Sequence, residues 1–428
     1  MIIVDRAVAE RAAASDPVRV GMVGVGYMGR AIARQIVQHV PGMDLVSISN
    51  RTVDRAEEAY RHAGLDGVVK VGTVGELDDA IASGKPAVTD DPGLLSGAAG
   101  IHVILEVTGE VEFGAQVALE ALGAGKHLVA MNAELDATLG PILKVYADRA
   151  GVVFTNVDGD EPGVTMGLFR FVESIGCRPV LTGNLKGILD HYRTPETQEG
   201  FAKATGQGAR MVTSFADGTK LSMELTIVAN ATGFRVGKRG MFGHRTDDVW
   251  DVLKMFSEEQ LLSGGLVDFL LGSEPKTGGA FVVGYDDDPE RRRYMDYFKM
   301  GEGPFYVFYR PWHLPHLEAP HTIARAALFS DPAVTPRGAP SCDVLAMAKR
   351  DLKAEETLDG IGGFTCYGTI ENAEVSRRER LLPMGLSEGC TLTADVAKDQ
   401  AIAYGDVEVP EGRLADKLRA EQEAHFPA

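Results

Sequence analysis

Residues 18–29 read VRVGMVGVGYMG, a short apolar strand that runs directly into three glycines spaced G-x-G-x-x-G. In this motif Gly24 permits a tight turn and Gly26 lets the backbone approach a ligand, while Gly29 lets the next helix, predicted from near Arg30, pack against the strand. The amides at the start of that helix would face an anion. The motif therefore predicts a diphosphate-binding turn with contacts from Gly24, Gly26, Tyr27, Met28 and Gly29.

A second apolar segment, residues 44–49, supports this interpretation, because the spacing alone is weak in a chain with 50 glycines. An NAD site usually carries an acidic residue after this second strand, whereas this chain has Asn50, Arg51 and Thr52. Arg51 can pair with a 2′-phosphate, and its two neighbours can donate hydrogen bonds to it. The sequence therefore favours NADP(H). The alternative is that Thr52 caps a helix over residues 53–62 while Arg51 points into water.

The composition indicates a soluble globular protein of two or three domains. The chain has 428 residues, of which 45% are hydrophobic and 24% charged, and a formal net charge of −18. This charge argues against nucleic-acid and acidic-membrane partners, so an anionic substrate would need a local cationic pocket. Asp5, Glu10 and Asp16 stand where a signal peptide would be apolar, and no later run approaches a membrane span. We therefore expect a cytoplasmic protein.

The four cysteines lie far apart in the chain and show no C-x-x-C spacing. This pattern favours buried thiols in a reducing compartment over disulfides or metal ligands. The residues concerned are Cys177, Cys342, Cys366 and Cys390.

From residue 18 to about 155, apolar strands alternate with amphipathic helices, which is typical of a doubly wound parallel sheet. We therefore assign residues 1–160 to a Rossmann-type NAD(P)-binding domain of the α/β class. Two predicted strand ends carry polar residues, Thr108 with Gly109 and, further on, Asn132. Ligands of such sheets bind outside the carboxyl ends of the strands, so these three residues should border the nicotinamide half of the cofactor.

Residues 161–315 lose this regular alternation and are assigned to an α+β substrate domain. Asp160 and Glu161 precede a helix predicted over residues 164–175, where they either face the cofactor crevice or only complement the helix dipole. Lys186 ends an otherwise apolar strand, and a buried lysine must either reach solvent or meet an anion.

A further helix, predicted over residues 217–231 with Asp217 as its cap, places Lys220 and Glu224 one turn apart on one face. This pair is either an exposed ion pair or part of the substrate cleft, and both interpretations stay open at this point. Arg193, a few residues after Lys186, is a third candidate cation.

Two clusters are interpreted as structural. Residues 285–289 read YDDDP and are predicted to be a polar turn that caps a helix over residues 290–299, rather than a cation site. His313, His316 and His321 do not match a zinc spacing, and we expect a structural or substrate-edge role for His313.

The end of the chain is predicted to return to the first domain and then to form a third one. An amphipathic helix over residues 316–330 is expected to pack on the nucleotide domain, and a proline-rich linker follows it. Residues 340–428 then begin a small domain of short strands and turns.

Several of these segments, in this order, resemble homoserine dehydrogenases. They are the Gly-rich turn and residues 106–109, 125–132, 157–162 and 186–189. The chain departs from that family where a lysine would follow Asn132, since Ala133 stands there, and the region that would hold homoserine is not recognisable.

The chain more closely resembles the deoxyxylulose-phosphate-reductoisomerase-like branch of these oxidoreductases, whose members end in a mostly-β SAF domain. The matching segments are residues 159–162, 214–220, 228–233, 309–314 and 348–352. The resemblance implies a SAF-like domain over residues 340–428 and a homodimer. It also implies an NADPH-dependent enzyme that converts 1-deoxy-D-xylulose 5-phosphate to 2-C-methyl-D-erythritol 4-phosphate, an isoprenoid precursor.

That reaction needs cations for a phosphate, an acid/base for hydroxyl protons and an electrophile for the carbonyl. The phosphate candidates are Lys186, Arg193 and Lys220, and Asn132 is expected to place the substrate beside the nicotinamide. The acid/base or metal candidates are Asp160, Glu161 and Glu224, and Mg²⁺ or Mn²⁺ is one way to chelate a hydroxyketone. The lysines could supply the same polarisation, so the metal is left open.

Two other functions compete with this reductoisomerase reaction. One is an NAD(P)-dependent dehydrogenase of homoserine-dehydrogenase-like fold acting on another small hydroxy acid, polyol or sugar phosphate. The other is a non-enzymatic protein that binds a sugar or partner and uses nucleotide only as a signal. A polar, lysine-containing cleft against the nicotinamide would favour either enzyme over the binding protein.

Overall fold

The structure is a computed structural model that describes residues 3–272 and 278–427. It divides into two compact units. Unit 1 contains residues 3–160, 314–335 and 414–425, and unit 2 contains residues 161–272, 278–313, 336–413 and 426–427. None of the helices in these described ranges is both long and apolar enough to span a bilayer.

Unit 1 is built on a parallel sheet of seven strands. The strands are β1 (Val18–Val23), β2 (Met43–Ser49), β3 (Val69–Lys70), β4 (Ala87–Thr89), β5 (Val103–Glu106), β6 (His127–Ala130) and β7 (Phe154–Asn156). The first helices are α1 (Val4–Ala13), α2 (Tyr27–His39), α3 (Val53–Ala63), α4 (Val74–Ala82), α5 (Pro92–Gly97), α6 (Val111–Gly123) and α7 (Ala133–Ala150).

The order of the strands is β3-β4-β2-β1-β5-β6-β7, and all the pairings are parallel. The strand order therefore reverses at β1, which lies between β2 and β5, and this is where doubly wound sheets bind their ligands. The predicted α/β class and Rossmann-type parallel sheet are confirmed.

Unit 2 contains a mixed sheet covered by helices. Its strands are β8 (Arg178–Lys186), β9 (His244–Arg245), β10 (Leu266–Leu271), β11 (Ala280–Tyr285) and β12 (Phe305–Arg310), in the order β12-β11-β8-β10-β9. Its helices are α8 (Glu161–Ser174), α9 (Pro195–Thr205), α10 (Ala209–Ala216), α11 (Thr219–Thr232), α12 (Glu258–Leu261) and α13 (Pro289–Tyr297).

The rest of the chain contributes to both units. Helix α14 (Pro315–Phe329) belongs to unit 1. The next elements belong to unit 2 and are β13 (Cys342–Ala348), β14 (Cys366–Asn372), α15 (Ala373–Glu379), β15 (Thr391–Leu392) and β16 (Val407–Glu408). Helix α16 (Leu414–His425) lies again in unit 1. The SAF-like nature of residues 340–428 stays a prediction.

Helix α16 is attached to unit 1 by polar contacts with α6 and α7. The carboxylate of Glu112 accepts hydrogen bonds from the amides of Leu414 and Ala415, at 2.7 and 2.8 Å, and so caps the helix. In α7 the internal Pro141 interrupts the backbone ladder, and the amide of the next residue, Ile142, donates to Gln422 of α16 at 3.1 Å.

Two helices begin earlier than predicted. Helix α2 begins at Tyr27 instead of Arg30, and α8 begins at Glu161 instead of Val164. Helix α7 begins at Ala133, and the Asn132 side chain caps it by accepting from the Leu135 amide.

Helices α11 and α13 differ in how they are capped. The predicted cap, Asp217, stands one residue before the cap position of α11, which is Gly218 with φ +88°. The carboxylate of Asp217 accepts from both the Thr219 amide and Lys349. By contrast, the predicted cap before α13 is confirmed, since the Asp288 side chain accepts from the amides of Glu290 and Arg291. All four cysteines are buried, and none of them forms a disulfide within residues 3–272 and 278–427.

A buried carboxylate in β10 holds the backbone of residues 242 and 243 in unit 2. Asp268, which is 1% exposed, accepts hydrogen bonds from the amides of Phe242 and Gly243, at 2.9 Å each, and from Phe269 at 2.8 Å. Asp268→Ala leaves these donors without an acceptor, and we expect a loss of about 3 kcal/mol in the free energy of unfolding. Urea unfolding followed by tryptophan fluorescence measures it. Glu259→Ala, at an exposed site, is the matched control, and equal stability of the two variants would contradict the assignment.

Candidate functional site

The Gly-rich turn after β1 has the geometry of a diphosphate cradle. Gly24 has φ +98°, and a Cβ placed there would lie 2.9 Å from the carbonyl oxygen of Val107. A Cβ on Gly29 would lie 2.6 Å from the carbonyl oxygen of Gly24, whereas one on Gly26 would meet no atom within 4 Å. Helix α2 starts directly after Gly26 and has no side-chain cap, so its first amides can receive an anion. These residues fit a dinucleotide.

The end of β2 leaves a cation exposed. The Asn50 side chain is used locally, since its oxygen accepts from the Val25 amide at 3.4 Å and its nitrogen donates to the Thr52 carbonyl at 2.8 Å. Thr52 occupies the cap position of α3, but its hydroxyl makes no capping hydrogen bond. Arg51 is exposed and makes no hydrogen bond or ion pair with the described residues. The preference for NADP(H) stays a prediction.

The end of β5 carries a buried carboxyl group next to this turn. One oxygen of Glu106 accepts from the amide of Thr108 at 2.8 Å and from its hydroxyl, while the other has no partner among the described residues. Burial raises the pKa of Glu106 to about 7, against the opposing effect of the hydrogen bonds from Thr108. Glu106 therefore fixes the turn that contains Thr108 and Gly109, and that turn packs on Gly24.

Asn132, at the end of β6, is buried and its amide is occupied within unit 1. Its oxygen accepts from the Leu135 amide at 3.0 Å, and its nitrogen donates to the Glu110 carbonyl at 3.0 Å. These contacts hold the starts of α6 and α7. The expected contact with a substrate stays a prediction.

Unit 2 brings three of the predicted residues together in one buried cluster. The ammonium of Lys186 forms ion pairs with Glu161 and, at 3.2 Å, with Glu224. Asn184 donates to Glu161 at 2.7 Å. Both carboxylate side chains are 5% exposed and Lys186 is 21% exposed. We call these four residues the lysine cluster.

Local structure explains why the lysine cluster forms. Lys186 is the last residue of β8, and Asn184 stands two residues earlier on the same face. Glu161 opens α8, where the helix dipole favours a carboxylate. One turn later, the Thr165 hydroxyl donates to the backbone carbonyl of Glu161 at 2.7 Å. Glu224 comes from α11, whose residues are buried apart from Lys220.

The charges in the lysine cluster are coupled. Burial disfavours the ammonium of Lys186, but the carboxylates of Glu161 and Glu224 outweigh it, so its pKa lies above the ordinary value. Burial and the charge of Glu161 raise the pKa of Glu224 to about 7, while Lys186 and Lys220 act in the opposite direction. Lys186 is therefore charged at neutral pH, and Glu224 can exchange a proton there.

The remaining predicted residues lie in several places. Lys220 lies one turn before Glu224 in α11, and its positive charge acts to lower the pKa of Glu224. Arg193 forms an ion pair with Asp190 at 3.0 Å. Asp160 ends unit 1, whereas Glu161 begins unit 2.

Two further polar residues lie in the cluster region: Asn184, which the sequence analysis did not single out, and His313, for which it expected a structural or substrate-edge role. Asn184 could have been identified from the period of two along β8. His313 has its Nε2 atom 3.8 Å from Glu161, and its side chain is 40% exposed. Because Glu161 and His313 are distant in sequence, no local pattern predicts this contact.

The lysine cluster does not fit the Mg²⁺ or Mn²⁺ that the sequence left open. Within residues 3–272 and 278–427, no three His, Cys, Asp or Glu side chains are grouped to hold a metal ion. The carboxylates of Glu161 and Glu224 are instead turned toward the ammonium of Lys186.

Comparisons with known proteins place the lysine cluster within an oxidoreductase family match. Residues 159–319 match the family described as "Oxidoreductase DRL, catalytic domain". Inositol 2-dehydrogenase 4 of Saccharopolyspora erythraea is 32% identical over 120 residues, or 26% of this chain. The chain covers only 35% of that relative's length.

Solved structures of dehydrogenases are similar over a larger share of the chain. A probable dehydrogenase from Thermotoga maritima is 13% identical with a TM-score of 0.45, covering 75% of this chain and 90% of its own. A homoserine dehydrogenase from Thiobacillus denitrificans is 14% identical with a TM-score of 0.41, covering 90% of this chain and 97% of its own.

The buried Glu106 makes unit 1 sensitive to pH. Its folded-state pKa is raised, so the stability it contributes is present at low pH and is lost as the pH rises through about 7. Glu106→Gln should leave the free energy of unfolding nearly unchanged near pH 5. Near pH 8 it should raise that energy above the wild-type value by about 2–3 kcal/mol. Urea unfolding followed by circular dichroism measures both. Glu58→Gln, at an exposed site, is the control, and a parallel pH dependence of wild type and Glu106→Gln would contradict the prediction.

Proposed function

We propose that this protein is a nicotinamide-nucleotide-dependent dehydrogenase that interconverts a hydroxyl group and a ketone on a small, uncharged hydroxylated substrate. The observation that carries the proposal is the buried ammonium of Lys186 between Glu161 and Glu224. It lies in the stretch that matches an oxidoreductase catalytic domain. The cradle at Gly24–Gly29 supports the nucleotide, and the name of the Saccharopolyspora relative, an inositol dehydrogenase, supports a polyol.

In this proposal the residues of unit 2 handle the proton of the reaction. A bound nicotinamide ring would accept or donate the hydride. The charged Lys186 holds the substrate oxygen and stabilises it as an alkoxide. Glu224 is the base, because a pKa of about 7 matches the working pH. The ammonium of Lys186 passes one of its protons to Glu224 and takes the proton of the substrate hydroxyl in its place, so Lys186 stays charged. Glu161, held by Asn184, keeps the ammonium in place.

The charge of the lysine cluster favours an uncharged substrate over a phosphate. Two carboxyl groups balance the cations Lys186 and Lys220, and the Arg193 guanidinium is paired with Asp190. A phosphate placed on Lys186 would meet the carboxylates of Glu161 and Glu224 at close range. Hydroxyl groups, which both donate and accept hydrogen bonds, suit such a mixed site.

The reductoisomerase reaction on 1-deoxy-D-xylulose 5-phosphate is the second candidate. The match of residues 159–319 to the DRL catalytic domain and the two lysines near Glu224 favour it. It needs a phosphate site that Arg193 supplies only if its contact with Asp190 opens. The SAF-like domain and the homodimer stay predictions from the resemblance, and the cytoplasmic location stays a prediction from the N-terminal sequence.

A panel of compounds tests the proposal on the purified full chain. Inositols, other polyols and hydroxy acids are offered with NAD⁺ and NADP⁺, and 1-deoxy-D-xylulose 5-phosphate with NADPH. We expect turnover of an uncharged polyol. Turnover of the deoxyxylulose phosphate alone would favour the second candidate, and nucleotide binding without turnover of any compound would favour a binding protein.

Variants of the lysine cluster separate chemistry from nucleotide binding. Lys186→Met and Glu224→Gln should each lower kcat about 100-fold or more, with the Kd for the nucleotide unchanged. In wild type, kcat/KM for oxidation should rise with pH through an apparent midpoint near 7, because Glu224 must be ionised, and Glu224→Gln should lose this rise. Lys353→Met, at an exposed ion pair, is the control. Normal turnover by Lys186→Met would remove Lys186 from the site.

The exposed Arg51 decides the choice of nucleotide in this proposal. Arg51→Ala removes a pairing partner of a 2′-phosphate, so the Kd for NADP⁺ should rise about 10-fold while the Kd for NAD⁺ changes little. Fluorescence titration with both nucleotides measures the ratio. Arg55→Ala, at an exposed site in α3 four residues later, controls for the general loss of positive charge. An equal rise for both nucleotides would contradict the role of Arg51.

A further inference from the structure

A loop of unit 2 begins directly after the proposed reactive lysine and is held by a distant part of the chain. This site loop, residues 187–194, follows Lys186 at the end of β8 and leads into α9. Residues 336–413 of the same unit, which we call the C-terminal segment, contact it through Lys349 and Asp399. Both contacts are hydrogen bonds in which the C-terminal segment contributes a side chain.

Lys349 is a buried ammonium with all its donors occupied. It donates to the carbonyl of Arg193 in the site loop at 2.8 Å, to the carboxylate of Asp217 at 2.9 Å and to the carbonyl of Gly363 at 2.8 Å. A lysine has three donors, so this set leaves none over. The side chains of Lys349 and Asp217 are 3% and 0% exposed, and the ion pair is therefore shielded from solvent.

The same ion pair fixes the start of α11, the helix that carries Glu224. The second oxygen of Asp217 accepts from the Thr219 amide at 2.9 Å. The Thr219 hydroxyl in turn accepts from the amide of Gly368 in β14 at 2.7 Å, and Ser222 donates to the Gly368 carbonyl at 3.2 Å. The first turn of α11 is thus fastened to the C-terminal segment at three points.

Asp399 holds the site loop from a second side. Its two oxygens accept from the hydroxyls of Tyr192 in the loop, at 2.9 Å, and Tyr367 in β14, at 3.0 Å. The ring of His191 stacks on Tyr367 at 4.4 Å, and the ammonium of Lys398 lies 3.5 Å from the Tyr192 ring centroid. Asp399 itself has φ +64°, a conformation that its two hydrogen bonds help to hold.

We propose that the C-terminal segment is a positioning element of the substrate site, in which Lys349 and Asp399 set the site loop and α11 relative to Lys186. The inference rests on the proposed function, since it assigns these contacts to substrate recognition. The site loop directly follows Lys186, and α11 carries Glu224, so the segment contacts the two elements that contribute to the lysine cluster. The segment therefore determines which hydroxylated substrates fit.

Mild variants at Asp399 test this positioning on the full chain. Asp399→Asn and Tyr192→Phe each remove a charge-assisted hydrogen bond at a partly exposed position. We expect KM for the polyol found in the panel to rise about 5-fold, with the nucleotide Kd and the thermal midpoint unchanged. The double variant should resemble the single ones, because both act through one contact. Asp395→Asn, which breaks an exposed ion pair with Lys353 in the same segment, is the matched control.

A second measurement needs no substrate. The rate at which sulfosuccinimidyl acetate modifies Lys186, measured by peptide mass spectrometry, reports the exposure and charge of that amine. Both mild variants should raise this rate about 2-fold or more by loosening the loop next to Lys186, while Asp395→Asn should not. Lys349→Met together with Asp217→Asn should do the same without leaving a buried, unpaired charge.

The outcomes separate the two proposals. If wild type turns over no compound but the modification of Lys186 responds to Asp399→Asn, the proposed function fails and the positioning role stands. If KM and the modification of Lys186 both stay at wild-type values in the two mild variants, the positioning role is overturned. It is also overturned if Asp395→Asn changes them equally.

Discussion

The ion pairs of Lys186 with Glu161 and Glu224 are the interaction on which the rest of unit 2 depends. A buried ammonium is tolerated only where carboxylates compensate for its lost hydration, and here one carboxylate comes from the start of α8 and the other from α11. The sheet end, two helices and the contacts that hold them must therefore be in place together. Burial, together with the charge of the neighbouring Glu161, raises the pKa of Glu224 to about 7.

Lys186 and Glu106 show two ways of burying a charged group. In the lysine cluster opposite charges meet, whereas the carboxyl group of Glu106 forms no ion pair with the described residues and is held by the amide and hydroxyl of Thr108. Desolvation then dominates and favours the protonated form. Below a pH of about 7 the nucleotide turn is thus supported by a neutral group, which leaves the positive end of α2 as the local anion site.

Local sequence patterns were sufficient for the parallel sheet, the Gly-rich turn and the three charged residues that meet in unit 2. The turn is encoded in consecutive residues, and the polar strand ends follow from alternation along one strand. Such patterns do not report contacts between distant segments. The contact of His313 with Glu161, the ion pair of Asp217 with Lys349, and the capping of α16 by Glu112 each depend on tertiary packing.

Successive parts of the chain belong alternately to the two units, and this order limits when each unit can fold during synthesis. Unit 1 receives its last helix, α16, only from residues 414–425, and unit 2 receives β13 and β14 only after α14 has been added to unit 1. Neither unit can be completed while the ribosome is still synthesising the middle of the chain. Ending the chain near residue 340 would therefore remove elements from both units.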